Sequence, residues 1–358
     1  MSISALREQF PVLEHLAYLN AGTDGPLPAA ASVAARAEIE RQERDGRAAA
    51  HFERRHELSA SLRSSYAALL GCDESLLALT TCTTEGMSLV VGGLRFTAGE
   101  EILTSDEEHP GLLGALIAAR ELTGVSIRTA PLAQLADAVS PKTRLVACSH
   151  VGWKSGCLAP ALADLDVPVL LDGAQGLGAV PVDVAALGCD AYAAPGQKWL
   201  CGPDGSGVLY VSESMLERLE VGRRGYQNLA DPNAGLGATL QPDARRLDAL
   251  ALSAETLACS LAALSVLADA GWQEVHSRAL SLARRLAEML DEHGREVAPR
   301  AESTLVSFGS ENPPAERACL AEQGIVLRDI PGTPWLRASV GAWNDESDLE
   351  RLLGSLDR

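Results

Sequence analysis

The sequence predicts an α/β protein: a large domain with a mainly parallel seven-stranded sheet flanked by helices, plus a smaller α+β C-terminal domain. Three observations carry this. Over the first two-thirds, short apolar runs alternate with helix-like stretches, the pattern of a parallel sheet with crossover helices. The runs are continuously apolar, as in strands buried on both faces. After about Gly222 the composition changes, first to a loop rich in Gly, Asn, Asp and Pro over 223–237, then to helices and a few further strands.

Taken in order, the strands are expected at Leu76–Leu79, Glu101–Leu103, Ser126–Thr129, Leu145–Ser149, Val167–Leu171, Ala191–Ala194 and Gly207–Val211. The alanine-rich run Ala29–Ala37 reads as helix. Between Gly271 and Gly294 apolar residues recur near the helical period, at Trp272, Val275, Leu280, Leu282, Ala283, Leu286 and Leu290. Strands at Thr304–Phe308, Ile325–Leu327 and Leu336–Ser339 and a helix from Asp345 to Leu356 complete the smaller unit. The length, 358 residues, suits two domains. They are placed at 15–240 for the large domain, and at 1–14 together with 241–358 for the small one.

A net charge of −18 and a pI near 4.8 argue against nucleic acid or anionic membrane as partners, both of which need concentrated basic surface. Neither a secretory leader nor a membrane-spanning stretch is visible. Eight cysteines are scattered without the spacing of a zinc site or a disulfide framework, so the expected setting is the cytoplasm, with most thiols as small core residues and no metal.

Only three residues are lysine against 27 arginine, and one lysine, Lys198, lies just past a strand in Pro195-Gly196-Gln197-Lys198-Trp199-Leu200-Cys201-Gly202-Pro203. A guanidinium is effectively never deprotonated, whereas a desolvated ammonium can lose its proton and attack a carbonyl. Asp172, in Asp172-Gly173-Ala174-Gln175, ends the preceding strand, at the sheet edge where α/β proteins bind ligands. A carboxylate beside a Schiff-base lysine suggests pyridoxal phosphate, whose ring nitrogen the acid keeps protonated. Thr80-Thr81-Cys82-Thr83-Thr84-Glu85-Gly86 opens a helix and could cradle a phosphate, or could be an ordinary threonine cap. Gly176-Leu177-Gly178-Ala179-Val180-Pro181 lacks the third glycine of a dinucleotide fingerprint.

In this combination and order, the chain resembles the class V aminotransferase and cysteine desulfurase superfamily of fold-type I pyridoxal-phosphate enzymes, nearest to its isopenicillin N epimerase-like and carbon–sulfur lyase subgroup. The resemblance runs from Tyr18-Leu19-Asn20-Ala21-Gly22-Thr23 to Trp335-Leu336-Arg337-Ala338-Ser339. It implies a fold-type I transferase fold and the cofactor pyridoxal 5′-phosphate. Lys198 would carry the cofactor as the internal aldimine and shuttle protons, and Asp172 would pair with the ring nitrogen. Gln175 would bond the ring oxygen, His109 would stack on the ring, and Thr83, Thr84 and Gln197 would hold the phosphate. Arg337 would bind the substrate carboxylate, Asn20 and Gly22 would line the substrate side, and a homodimer is implied.

Two departures stand out. Relatives often have Ser-Gly-His where this chain has Pro195-Gly196-Gln197, and the segment 246–253 lacks the Gly-Thr pair that reaches a partner's phosphate. The resemblance also bears on the reaction. A desulfurase needs a thiol on the loop before the carboxylate-binding arginine, but Val326–Pro334 has none, and Cys319, the nearest upstream, reads as core. Arg328 is a second candidate carboxylate partner, resembling an arrangement in cystine-cleaving lyases. The leading expectation is α,β-elimination from a sulfur-containing amino acid. The alternatives are transamination, then epimerisation or racemisation, then a non-catalytic protein of this fold.

Overall fold

A computed structural model describes residues 3–356; the first two and last two positions, which fall within the segments 1–14 and 241–358, lie outside the described residues. The helices before the large sheet are α1 (Ile3–Arg7), α2 (Ala29–Asp45) and α3 (Ala49–Leu70), and a short strand, β1 (Ala17–Tyr18), separates the first two. The large sheet comprises β2 (Leu77–Thr80), β3 (Glu101–Ser105), β4 (Ser126–Ala130), β5 (Thr143–Ser149), β6 (Val169–Asp172), β7 (Ala191–Pro195) and β8 (Gly207–Val211), in the order β2-β8-β7-β6-β5-β3-β4. Each expected strand is present. Only β8 runs antiparallel to its neighbours, so β2 and β3–β7 all end at one edge.

Side chains alternate between the two faces of this sheet with a period of two. Leu77, Leu79, Val146, Cys148, Leu171, Tyr192 and Ala194 join α3 in one core layer. Ala78, Leu145, Ala147, Leu170, Ala191, Ala193 and Leu209 join α4 (Thr83–Gly93) and α5 (Pro110–Thr123) in the other. Burial on both faces holds along the sheet, the exceptions being Arg144 near the start of β5 and the strand β4, whose Ser126 and Thr129 are exposed. It is the edge strand, where polar side chains guard against pairing with another chain.

That edge is tied down by Glu101, whose carboxylate receives Arg128 at 2.7 and 2.9 Å and Thr143 at 2.7 Å. The Arg128 guanidinium and these hydroxyls hold the Glu101 pKa down at about 2. A depressed carboxylate contributes its full stability above its ordinary pKa near 4.5, and the contribution fades as pH falls toward 2. Glu101→Gln is therefore expected to lower the melting temperature at pH 7 and to lose most of that deficit in melts run near pH 2.5.

Helix α6 (Val184–Leu187) lies between β6 and β7, and past β8 come α7 (Glu213–Arg218), a looped segment with short 3-10 turns, α8 (Ala254–Ala270) and α9 (Trp272–Glu292). The C-terminal part contains β9 (Leu305–Gly309), α10 (Pro313–Glu322), β10 (Ile325–Val326), β11 (Arg328–Asp329), β12 (Trp335–Ser339) and α11 (Glu346–Leu356). A three-stranded antiparallel sheet, β11-β12-β9, packs against α9 and α11, and β10 pairs with β1. We propose the division 15–240 against 1–14 plus 241–358. It is supported by Arg7, which reaches Asp345 at 3.1 Å and Asp348 at 2.8 Å, and by Phe10 against Trp343 at 5.2 Å. Across that division, α8 packs Leu257, Ala258 and Leu264 into the layer of α3.

The cysteines differ from expectation. Cys148, Cys189, Cys201 and Cys259 are buried, but Cys72, Cys82 and Cys157 are half-buried and Cys319 is exposed. Helix α10 buries only Leu320, so Cys319, one residue earlier, falls on its solvent side and is not core. Among the described residues no single helix is long and apolar enough to cross a membrane, and no cluster of His, Cys, Asp and Glu could hold a metal ion.

Candidate active site

The shared edge of β2, β3, β5, β6 and β7 gathers the candidate residues. Asp172 ends β6, is 4 % exposed and accepts the Ala174 N–H at 2.9 Å. Burial raises its carboxyl pKa, an effect that the positive charge of Lys198 opposes. Lys198 sits in the turn after β7, half-buried, and its ammonium makes no hydrogen bond or ion pair among the described residues. Desolvation pulls its pKa from 10.5 to about 8; Asp172 pushes upward and the cationic Arg337 downward. A lysine at about 8 has a substantial neutral fraction near physiological pH, which an arginine could not offer.

Beside this pair, two helix N-termini meet. Helix α4 starts at Thr83 after an N-cap at Cys82 that makes no side-chain cap bond, so the hydroxyls are not spent on an ordinary threonine cap. Thr83 is buried and its Oγ1 has no partner. Gly86 allows the helix to lie close, since a Cβ there would come within 2.7 Å of Ala193 Cβ on β7. Helix α5 starts after His109, whose Nδ1 accepts the Gly111 N–H at 3.1 Å. Thr84 Oγ1 lies 2.5 Å from where a Gly111 Cβ would stand, so both helix starts border one spot rich in free N–H groups. Gln197 Oε1 is another buried atom with no partner. Burial, with Lys198, Arg328 and Arg337 nearby, lowers the His109 pKa to about 4, leaving the imidazole neutral.

The far wall comes from the small sheet. Arg337 and Arg328 are directly opposed on β12 and β11. Arg337 is fully buried; one nitrogen donates to the Trp153 carbonyl at 2.6 Å, and Nε and Nη2 have no partner. Like charges at opposed positions repel and a buried unpaired guanidinium is costly, so this geometry calls for an anion. Burial and Arg328 pull the Arg337 pKa below its usual range. The Asn20–Gly25 loop closes over the site: Gly25 N–H donates to Gln197 O at 2.7 Å, and Thr23 bonds Asn20 Oδ1 at 2.8 Å. Gly22 must lack a side chain, because a Cβ would lie 2.7–2.9 Å from Ser339 Oγ, Arg337 Nη2 and Gln175 Oε1.

The structure thus brings the site residues expected from the sequence to this edge of the sheet and to the wall that faces it. Gln175 is the most committed of them: its amide donates to Gly22 O at 2.7 Å and accepts Trp199 Nε1 at 3.0 Å. Sequence reasoning missed Ser339, although it lies two residues from Arg337 on a strand and thus on the same face. It also left the Trp153 side chain unassigned.

The family described as Aminotransferase class-V matches residues 25–352. The chain belongs to the aminotransferase class-V family. Pyridoxal phosphate is the cofactor of this family. Curated relatives include an isopenicillin N epimerase of Streptomyces clavuligerus, 29% identical over 95% of this chain and 94% of the relative. The cysteine desulfurase CsdA of Escherichia coli is 30% identical over 83% and 81% of the two chains. Among solved structures, the cystine C–S lyase C-DES in complex with cysteine persulfide superposes with a TM-score of 0.91 at 30% identity, covering 97% of this chain and 99% of that one. Like those class V structures, this chain has the fold-type I architecture, with a mostly parallel sheet between helices.

Proposed function

We propose that this class V enzyme carries out α,β-elimination on a sulfur-containing amino acid. The observation that carries the reading is the opposed pair Arg328 and Arg337, set on a wall whose connecting segment, Val326–Pro334, contains no thiol. A guanidinium pair suits carboxylate binding, and without a cysteine that wall offers no thiol to take sulfur from the substrate. The similarity to a cystine C–S lyase over nearly the full length supports the same reading.

The residues present fit pyridoxal phosphate. The unpartnered Thr83 hydroxyl, the paired helix N-termini, Thr84 and Gln197 would hold its phosphate. Asp172 would sit at the ring nitrogen, Gln175 near the ring oxygen, His109 on the ring face and Lys198 at the aldehyde carbon. When bound, the cofactor supplies an electron sink for charge developing at the substrate Cα. Lys198 takes the Cα proton, the Cβ–S bond breaks with its electron pair leaving on sulfur, and hydrolysis of the residual enamine yields pyruvate and ammonia. Arg337 and Arg328 fix the carboxylate, and Asn20 and Gly22 border the substrate.

The expected result is pyruvate release from cystine or a cysteine conjugate by the holoenzyme; its absence across such a panel overturns elimination. Accumulation of pyridoxamine phosphate without pyruvate would instead indicate transamination, and racemised substrate an epimerase. Cys319→Ser is expected to keep the rate within about twofold, since a surface thiol has no part in this chemistry. A loss of activity there would favour a desulfurase.

The same reading includes a homodimer. It is supported by exposed Phe52, Tyr226, Leu236 and Leu250, the first two on the rim of adjoining cavities that share His56, Gln227 and Asp248. Eight unpaired cysteines support a reducing, cytoplasmic setting.

A further inference from the structure

Trp153 lies in the loop after β5 and is 8 % exposed. Three groups of the site converge on it. Its carbonyl accepts Arg337 at 2.6 Å, its ring carries the Arg328 guanidinium at 5.5 Å from the centroid, and its edge meets His109 with centroids 5.1 Å apart at 85°. Yet its indole N–H is buried with no partner. A buried donor left unpaired is costly, and an indole nitrogen can only donate. The other unpartnered groups on this wall are Arg337 Nε and Nη2 and the Ser339 hydroxyl. Together they form a cluster of donors awaiting acceptor oxygens.

We propose that Trp153 is a substrate-binding residue: its indole N–H donates to an anionic oxygen of the amino-acid substrate, while its ring face holds Arg328 in place for the same ligand. A cation over an indole face is held most firmly when desolvated, and here the platform is anchored through its own carbonyl to the second arginine. One side chain thereby links both guanidiniums to the histidine that faces the cofactor. The proposal rests on reading Arg337 as a carboxylate partner, and does not depend on which substrate bond breaks.

The test uses holoenzyme and 3,3′-dithiodipropionate, a disulfide dicarboxylate that has no amino group with which to react. Failure of the wild-type protein to bind it would remove the carboxylate reading itself, before any variant is compared. Trp153→Phe keeps an aromatic face but no donor, and Trp153→Leu keeps neither. Loss of a hydrogen bond to a charged group is expected to weaken the probe about tenfold in Trp153→Phe and further in Trp153→Leu. The dissociation constant of pyridoxal phosphate should stay within about twofold in Trp153→Phe. Unchanged probe affinity in Trp153→Phe overturns the proposal. So does a loss confined to pyridoxal phosphate, which would assign the N–H to the cofactor's ring oxygen. Independently of folding in the variants, ¹⁵N spectra of the wild-type protein should show one of its five indole N–H signals moving downfield on adding the probe. No such movement contradicts the assignment.

Discussion

Lys198→Arg is expected to abolish covalent capture of pyridoxal phosphate and to reduce turnover by at least about 10³-fold, the scale of losing a positioned proton-transfer group. Arginine preserves the positive charge beside Asp172 and is the residue this chain uses at 27 of its 30 Lys and Arg positions, so the loss isolates deprotonation as the missing property. Borohydride reduction should trap the cofactor on the Lys198 peptide in the wild-type protein and nowhere in the variant. Because desolvation sets the Lys198 pKa at about 8, capture of added cofactor by the apoenzyme should rise about tenfold per pH unit below 8 and level off above it. A rate independent of pH between 6 and 9 would contradict the assignment.

Arg337→Met is expected to raise KM by about 30- to 1,000-fold, the usual cost of truncating one partner of a buried charge pair, with a smaller change in kcat. The same change should stabilise the ligand-free protein. Arg337 is fully buried with two unpartnered nitrogens, and replacing such a charge with an apolar side chain of similar volume is neutral or favourable by about 1–4 kcal/mol. For a chain of 358 residues a gain at the favourable end corresponds to a melting-temperature rise of about 1–5 °C. A function that improves while stability falls would reverse the account. Arg337 also helps to hold the Lys198 pKa down, so its removal should shift the midpoint for cofactor capture upward. Arg337→Lys should not restore KM, since an ammonium cannot form the two-pronged contact.

Much of this was legible in the sequence, for identifiable reasons. Six of the seven strands of the large sheet announce themselves as largely apolar runs, but a run carries no direction, so the antiparallel course of β8 could not be read from it. Asp172 and Lys198 stand out because each follows a strand whose carboxyl end forms the site, and the spacing alone brings them together. The polar character of Ser126-Ile127-Arg128-Thr129 was a visible sign of an edge, but its meaning depended on sheet order. The segment Ser149–Trp153 resembles a loop that reaches the cofactor, but nothing local singles out the Trp153 side chain. Its contacts reach Arg337, 184 residues away, and Arg328 on the neighbouring strand, and only the folded chain places them together. Cys319 misled in the opposite sense: a helical pattern was present, but a single buried leucine sets which face of α10 is inside.

The account's central claim is that sulfur leaves the substrate by elimination at this site, with no enzyme thiol taking part. The most direct measurement is a single-turnover product balance with cystine and excess holoenzyme, following pyruvate, ammonia and persulfide together. The account predicts one of each per cystine consumed, with the cofactor returned unchanged. Retention of the amino group as pyridoxamine phosphate, or alanine and an enzyme-bound persulfide in place of pyruvate, would contradict it.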